Sequence, residues 1–327
     1  MRNIREEFYL LGIVIVWGST FALIKGVIDT IPPYTYLTYR FLLAALILIL
    51  ISWKRIKGIN IMILKKGSLI GIFLFLGYAL QTVGLKYTTA TKAGFITGLS
   101  VVLVPIISHF FIKEKINRNS VIGVVLAFTG LWFLNYSGSF SFNLGDFLVL
   151  LCAFSFAMHI ISVGLFSKKL DYVLLAITQI TVVFVLSLFM ALIFERSAIH
   201  LSYSSDIWWS IVITGIFATA LAFYMQNRFQ RYSTATKTAI IFSGEPIFAA
   251  VFAYFLLGEK VGVIAWVGGL LIILKLKNNL WKLTINKDDK LLPVDLRYPA
   301  DYDIEEFKKI NIIISIVLKN YSYLIES

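Results

Sequence analysis

Charge is what this chain has least of. Asp, Glu, Lys and Arg together make up 15% of 327 residues, against 59% hydrophobic. Soluble domains run at about 25% charged and about 45–50% apolar, so this chain cannot hide its apolar side chains inside a water-facing sphere. A water-soluble enzyme is excluded. Cysteine is almost absent, and a lone Cys152 cannot close an internal disulfide, which excludes a disulfide scaffold. The three histidines, His109, His159 and His200, are scattered, no HExxH occurs, and Cys152 has no obvious nucleophilic partner. The sequence therefore calls for no catalytic residues, no metal and no cofactor. A Walker A stretch is also missing, so ATP does not drive a process within this chain.

What the chain has instead is long apolar runs and rings. Its 27 Phe, 16 Tyr and seven Trp suit helices that fill volume and anchor at lipid interfaces. Ten apolar runs can be marked, at about 8–28, 34–52, 68–87, 91–112, 119–137, 145–166, 172–194, 207–229, 235–257 and 260–276. Each is close to the roughly 20 residues that cross a bilayer as a helix. The first follows Arg2 and Arg5 as a signal peptide would, yet it lacks a small-residue cleavage site and continues to Lys25, so it is read as a retained helix.

The net charge of +12 sits in the loops between these runs. With the N-terminus inside, inner segments collect fifteen basic residues: Arg2, Arg5, Lys54, Arg55, Lys57, Lys65, Lys66, Lys113, Lys115, Arg118, Lys168, Lys169, Arg228, Arg231 and Lys237. Outer loops collect four, Lys86, Lys92, Arg196 and Lys260. Positive-inside bias then predicts a cytoplasmic N-terminus and, with an even helix count, a cytoplasmic C-terminus in the cell membrane. No continuous basic face exists for nucleic acid.

The chain also repeats. Tyr87-Thr88-Thr89-Ala90-Thr91-Lys92 returns as Tyr232-Ser233-Thr234-Ala235-Thr236-Lys237 at an offset of 145, which also carries Glu114-Lys115 onto Glu259-Lys260 and Gly123 onto Gly268. Five runs per copy is an odd number, so the copies must enter the membrane in opposite directions. The expected fold class is an all-α integral membrane protein of ten transmembrane helices arranged as two inverted five-helix repeats, the arrangement secondary transporters use for alternating access. The boundaries expected are 1–137 for the first repeat, 138–276 for the second and 277–327 for a cytoplasmic or interfacial tail.

Over about residues 8–274 the sequence resembles the EamA-domain family of the drug/metabolite transporter superfamily. The resemblance rests on Trp17-Gly18-Ser19-Thr20-Phe21 with Lys25, on Arg40 opening an apolar run, and on Tyr87–Lys92 with Glu114-Lys115. In the second half it rests on Glu245-Pro246-Ile247-Phe248-Ala249 and Gly258-Glu259-Lys260. It implies a ten-helix bundle with an inward N-terminus, a central cavity between the halves, and transport of small metabolites, often by export. The chain departs from the family at its end. Lys275 stands where the first copy has Gly130, and Val261–Leu274 makes only about 21 Å of helix for a core of about 30 Å.

Charges within hydrocarbon are costly and so mark function. Glu245 lies about 15 Å into the ninth run, beside Pro246, which removes a backbone donor. It is the candidate proton or cation site, the competing reading being a carboxylate paired to a neighbouring helix or simply kept protonated. Lys25 and Arg40 are charged helix-end candidates, either sharing a vestibule for an anionic group or snorkelling to the interface. Trp17, Thr20, Tyr78, Gln81, Thr97, Ser100, His159, Tyr224 and Asn227 are the polar candidates for a substrate cavity. Among them Tyr78/Gln81, Thr97/Ser100 and Tyr224/Asn227 stand three apart on shared helix faces. Interhelical hydrogen bonding would use the same residues. The function expected is a secondary transporter moving an amino acid or related solute outward by alternating access, either proton-coupled or as facilitated export; the alternative is a polytopic membrane sensor or scaffold without transport. The partners expected are a small-molecule solute, the lipid bilayer and protons, with no nucleic acid.

Overall fold

A computed structural model describes residues 2–113, 121, 122, 125, 129 and 142–260, with side chains from Tyr9 onward. Eight helical spans run through these residues: α1 Arg2–Lys25, α2 Pro33–Ile51, α3 Ile61–Leu85, α4 Ala90–Ile112, α5 Leu144–Phe166, α6 Tyr172–Phe194, α7 Ser205–Gln230 and α8 Ala235–Leu257. From α2 to α8, seven helices are long and apolar enough to cross a membrane, and α1 contributes a shorter apolar stretch, Tyr9–Lys25. This is a multi-pass, all-helical membrane protein. The runs at 119–137 and 260–276, the expected fifth and tenth helices, and the tail lie outside the described residues apart from those isolated positions.

Local chemistry sets the helix starts. The hexapeptide that recurs at offset 145 is a helix cap used twice. Thr89 accepts a hydrogen bond from the Lys92 amide at 3.1 Å, and Thr234 accepts one from the Lys237 amide at 3.2 Å. Asp171 caps α6 by accepting from the amides of Val173 and Leu174. Asn143 and Asp146 form a reciprocal capping box on α5. α3 begins at Ile61, earlier than the apolar run suggests, because Asn60 accepts from the amides of Met62 and Ile63; Lys65 and Lys66 thus belong to its first turns.

Two spans are not continuous. α4 consists of Ala90–Gly98 and Ser100–Ile112, and α8 of Ala235–Phe242 and Glu245–Leu257, so both break at corresponding places. Both end in the left-handed region, at Lys113 (φ 53°) and Gly258 (φ 66°), again 145 apart. α7 carries a π turn at Ile216–Leu221.

The sequence halves also pack alike. A Cβ added to Gly71 of α3 would stand 2.9 Å from the Gln179 carbonyl and 2.8 Å from Val182 Cβ on α6. One added to Gly215 of α7 would stand 3.1 Å from the Arg40 carbonyl and 3.6 Å from Leu43 Cβ on α2. Arg40 and Leu43 each precede Gln179 and Val182 by 139, so the same close approach is made once by each half. A side chain at Gly71 would force its neighbours apart and one at Gly215 would press on them, and in lipid such close contacts replace the hydrophobic effect as the glue between helices.

At one end of the bundle two carboxylates reach across to the starts of other helices. Glu195, just past α6, accepts from the amides of Tyr34 and Thr35 and from Thr35 Oγ1 at the start of α2. Glu259, just past α8, accepts from the amides of Ala90 and Thr91 and from Thr91 Oγ1 at the start of α4. Lys25 Nζ donates to the Leu85 carbonyl at 2.8 Å, tying the last turns of α1 and α3 together at this end. Asp146 adds Thr88 at 2.6 Å and Lys92 at 3.4 Å.

Candidate functional site

A cavity opens among α1, α3, α4, α5, α7 and α8. Its walls are Trp17, Thr20, Tyr78, Gln81, Thr97, Ser100, Phe156, His159, Ile160, Phe223, Gln226, Phe242 and Glu245. Twelve of these thirteen fall into six pairs related by the repeat. Trp17/Phe156 and Thr20/His159 are 139 apart, while Tyr78/Phe223, Gln81/Gln226, Thr97/Phe242 and Ser100/Glu245 are 145 apart. Each half therefore supplies the same six wall positions.

The rings interlock. Trp17 meets Phe242 edge-on at 5.0 Å and Phe223 at 5.4 Å, and Tyr78 meets Phe156 edge-on at 5.3 Å. The polar walls are largely oriented by neighbours. Trp17 Nε1 donates to the Ala218 carbonyl at 2.9 Å, Gln81 Nε2 donates to Thr97 Oγ1 at 3.1 Å, and His159 Nε2 lies 2.8 Å from Gln179 Oε1.

Glu245 differs from the rest. It is the first residue of the second half of α8, with Pro246 following it and Gly244 as the cap residue without a capping side chain. Pro fits the first turn of a helix, where its missing N–H loses nothing. The backbone at Gly244 stays right-handed helical (φ −73°, ψ −18°), so the interruption is local to the proline, and Glu245 is the residue beside it that can carry a negative charge. Among the described residues the Glu245 carboxylate has no hydrogen-bond or ion-pair partner, and it lines the cavity. The ninth run spans Ala235–Leu257 with a local interruption at Ser243 and Gly244.

Of the residues singled out from sequence, Trp17, Thr20, Tyr78, Gln81, Thr97, Ser100, His159 and Glu245 meet at this cavity. Tyr224 and Asn227 do not line it. Tyr224 Oη lies 3.5 Å from Tyr172 Oη, and Asn227 Nδ2 donates back to the Phe223 carbonyl of its own helix. Their neighbours Phe223 and Gln226 stand there instead. Spacing of three defines a face but not its rotation, and polarity chose the wrong one of two adjacent faces. The signal was available, because the offset of 145 carries Tyr78 and Gln81 onto Phe223 and Gln226. The same offset finds Phe242 from Thr97.

Arg40 is also not a helix-end residue. α2 starts at Pro33, which puts Arg40 about 10 Å along it. It is fully buried, its guanidinium carbon 4.6 Å from the Tyr78 ring centre. Lys25 is the one at a helix end, and the two cations share no vestibule.

A model of the EamA-like transporter family matches residues 4–136 and again residues 143–276. The chain belongs to the EamA-like transporter family. An Archaeoglobus fulgidus protein described as an uncharacterized transporter is 38% identical over 275 residues, covering 84% of this chain and 85% of its own. YetK of Bacillus subtilis, likewise described as an uncharacterized transporter, is 27% identical over 288 residues, covering 80% of this chain and 84% of its own. A solved structure entitled only as the crystal structure of a protein aligns with a TM-score of 0.64 at 18% identity, over 84% of this chain and 96% of that one. That likeness concerns fold alone. Membership in this family makes the chain a membrane transporter built of two EamA repeats, embedded in lipid and handling a solute.

Proposed function

We propose that this EamA-family protein exports a small metabolite, an amino acid or related solute, across the cell membrane by alternating access. In this reading residues 1–137 and 138–276 are two inverted five-helix repeats, with the N-terminus and the tail 277–327 in the cytoplasm. The halves rock about the cavity, and Glu245 takes a proton or the ammonium group of the permeant.

The observation that carries this reading is a carboxylate without a partner among the described residues, beside a proline that interrupts its helix, inside a chamber to which each sequence half gives six matched positions. Transporters of this kind place their site at the repeat interface on discontinuous helices. An ammonium group in the chamber would find one anion, surrounded by aromatic faces that attract cations.

The test is efflux from liposomes holding purified protein, followed over a panel of metabolites with and without a pH gradient. Glu245→Gln is expected to abolish gradient-driven flux; full retention removes Glu245 from the coupling step. The orientation is read separately by thiol labelling of a cysteine at Lys57, which is expected to react only from the cytoplasmic side.

A further inference from the structure

The π turn of α7 marks a difference between two otherwise matching halves. Before it, Gly71 and Gly215 make the same backbone contact and are 144 apart. After it, Tyr78/Phe223 and Gln81/Gln226 are 145 apart. The second half therefore carries one extra residue, and the turn Ile216–Leu221 is where the chain absorbs it. What packs there also differs. Against α3 stands Gln179; against α7 stands its counterpart Arg40, 139 earlier.

Arg40 fits that widened turn. Its Nε donates to Thr219 Oγ1 at 2.7 Å, and Thr219 Oγ1 donates to the Thr214 carbonyl at 2.9 Å, a side-chain bond one residue further back than the i−4 carbonyl a threonine reaches in ordinary α-helix. Arg40 Nη2 points to Tyr78 Oη at 3.4 Å. Nη1 has no partner among the described residues, so a fully buried guanidinium depends on few bonds. The two ends of α7 are held by different neighbours. Tyr36 Oη lies 3.0 Å from Ser210 Oγ and 2.8 Å from Thr214 Oγ1, whereas Gln230 Nε2 donates to the Ile160 carbonyl at 2.6 Å.

We propose that Arg40 and Thr219 are positioning residues for the cavity: their bond holds the π turn open and so sets the rotation of α7 that presents Phe223 and Gln226 to the permeant. Were the turn to close into ordinary α-helix, each residue after it would advance one place, about 100° around the axis. Ala222 and Met225 would then stand where Phe223 and Gln226 do. The cavity would lose an aromatic wall and an amide without losing its carboxylate. The proposal uses the transporter reading only for this consequence; the register itself is measured without transport.

The test is thiol labelling of full-length protein in proteoliposomes, in a Cys152→Ala background, with single cysteines at positions 222, 223, 225 and 226 and a small water-soluble thiosulfonate. In the parent, positions 223 and 226 are expected to react faster than 222 and 225. In Thr219→Val and in Arg40→Met the reactive pair is expected to shift to 222 and 225, and Thr219→Ser, which keeps the hydroxyl, is expected to restore the parental pattern. Deleting Phe217 within Thr219→Val removes the extra residue and is expected to return the reactive pair to Phe223 and Gln226. Monodisperse elution in detergent establishes folding for each variant. Unchanged labelling in the two substitutions overturns the proposal, and so does a deletion variant that fails to fold or fails to restore the pattern. A protein that labels as expected but moves no solute leaves the register standing and sinks the transporter reading alone.

Discussion

Ser100 and Glu245 occupy the same position in the two halves, each the first residue after a broken helix and each lining the cavity, yet only one can carry charge. Their substitutions should therefore differ sharply. Ser100→Ala removes a hydroxyl with no hydrogen bond among the described residues and is expected to change solute affinity less than about tenfold, which is about 1.4 kcal/mol. Glu245→Ala is expected to abolish saturable binding of an amine-bearing solute; competition for a labelled solute in the same vesicles measures both. Arg40 is the second costly residue. A charge at mid-depth opposes insertion by about 2.5–3.5 kcal/mol, and here it is met by two hydroxyls and two aromatic rings instead of a carboxylate. Sequence made both charges visible, since each interrupts an apolar run. What lies against them was not visible, because the partner of Arg40 is Thr219, 179 residues away on another helix.

At the scale of the helix, the repeated hexapeptide acts as a start signal. Thr89→Ala and Thr234→Ala each remove a cap and should cost about 1 kcal/mol, read as a lower melting temperature in detergent. The stop signals invite the opposite change. Lys113 adopts φ 53° where its counterpart is Gly258, and left-handed backbone costs a residue with a Cβ about 1–2 kcal/mol. Lys113→Gly is expected to raise the melting temperature; a fall would show that the side chain matters more than the backbone. The placement of most spans was legible from apolar length, whereas the side-chain caps at Asn60, Thr89, Asn143, Asp171 and Thr234 came with the structure. The breaks in α4 and α8 and the π turn of α7 were not, because hydropathy is the same whether a buried helix is continuous or interrupted. The misplaced face at Tyr224 and Asn227 has another cause, the choice of a face by polarity. Comparing the halves residue by residue removes it, since α3 and α7 supply equivalent walls.

For the whole molecule, the two sequence halves fold into one chamber with matched walls, and both are needed to build it. The repeat was legible as identical residues at a fixed offset, and family membership agrees with it, but offset alone does not tell how the ends are fastened. The Arg55–Asp171 pair, 3.4 Å apart, joins the segment after α2 to the start of α6 at one end of the bundle, and Lys25, Glu195 and Glu259 fasten the other. Loosening the latter end should expose the chamber. The double variant Glu195→Gln with Glu259→Gln is expected to speed thiol labelling of a cysteine at Gln81 from that end, whereas Thr234→Ala, on α8 but remote from both carboxylates, is not. Equal rates in all three proteins would mean that the carboxylates only steady individual helices.

The grip of Glu259 on α4 has a temporal consequence. Its oxygens bind two amides and a hydroxyl together, and parting α8 from α4 even slightly strips all three donors at once. Half-made arrangements of that kind are penalised, so this end should sit either shut or fully released. Single molecules watched by fluorescence across it would then jump between two levels with measurable dwell times, instead of drifting through a continuum.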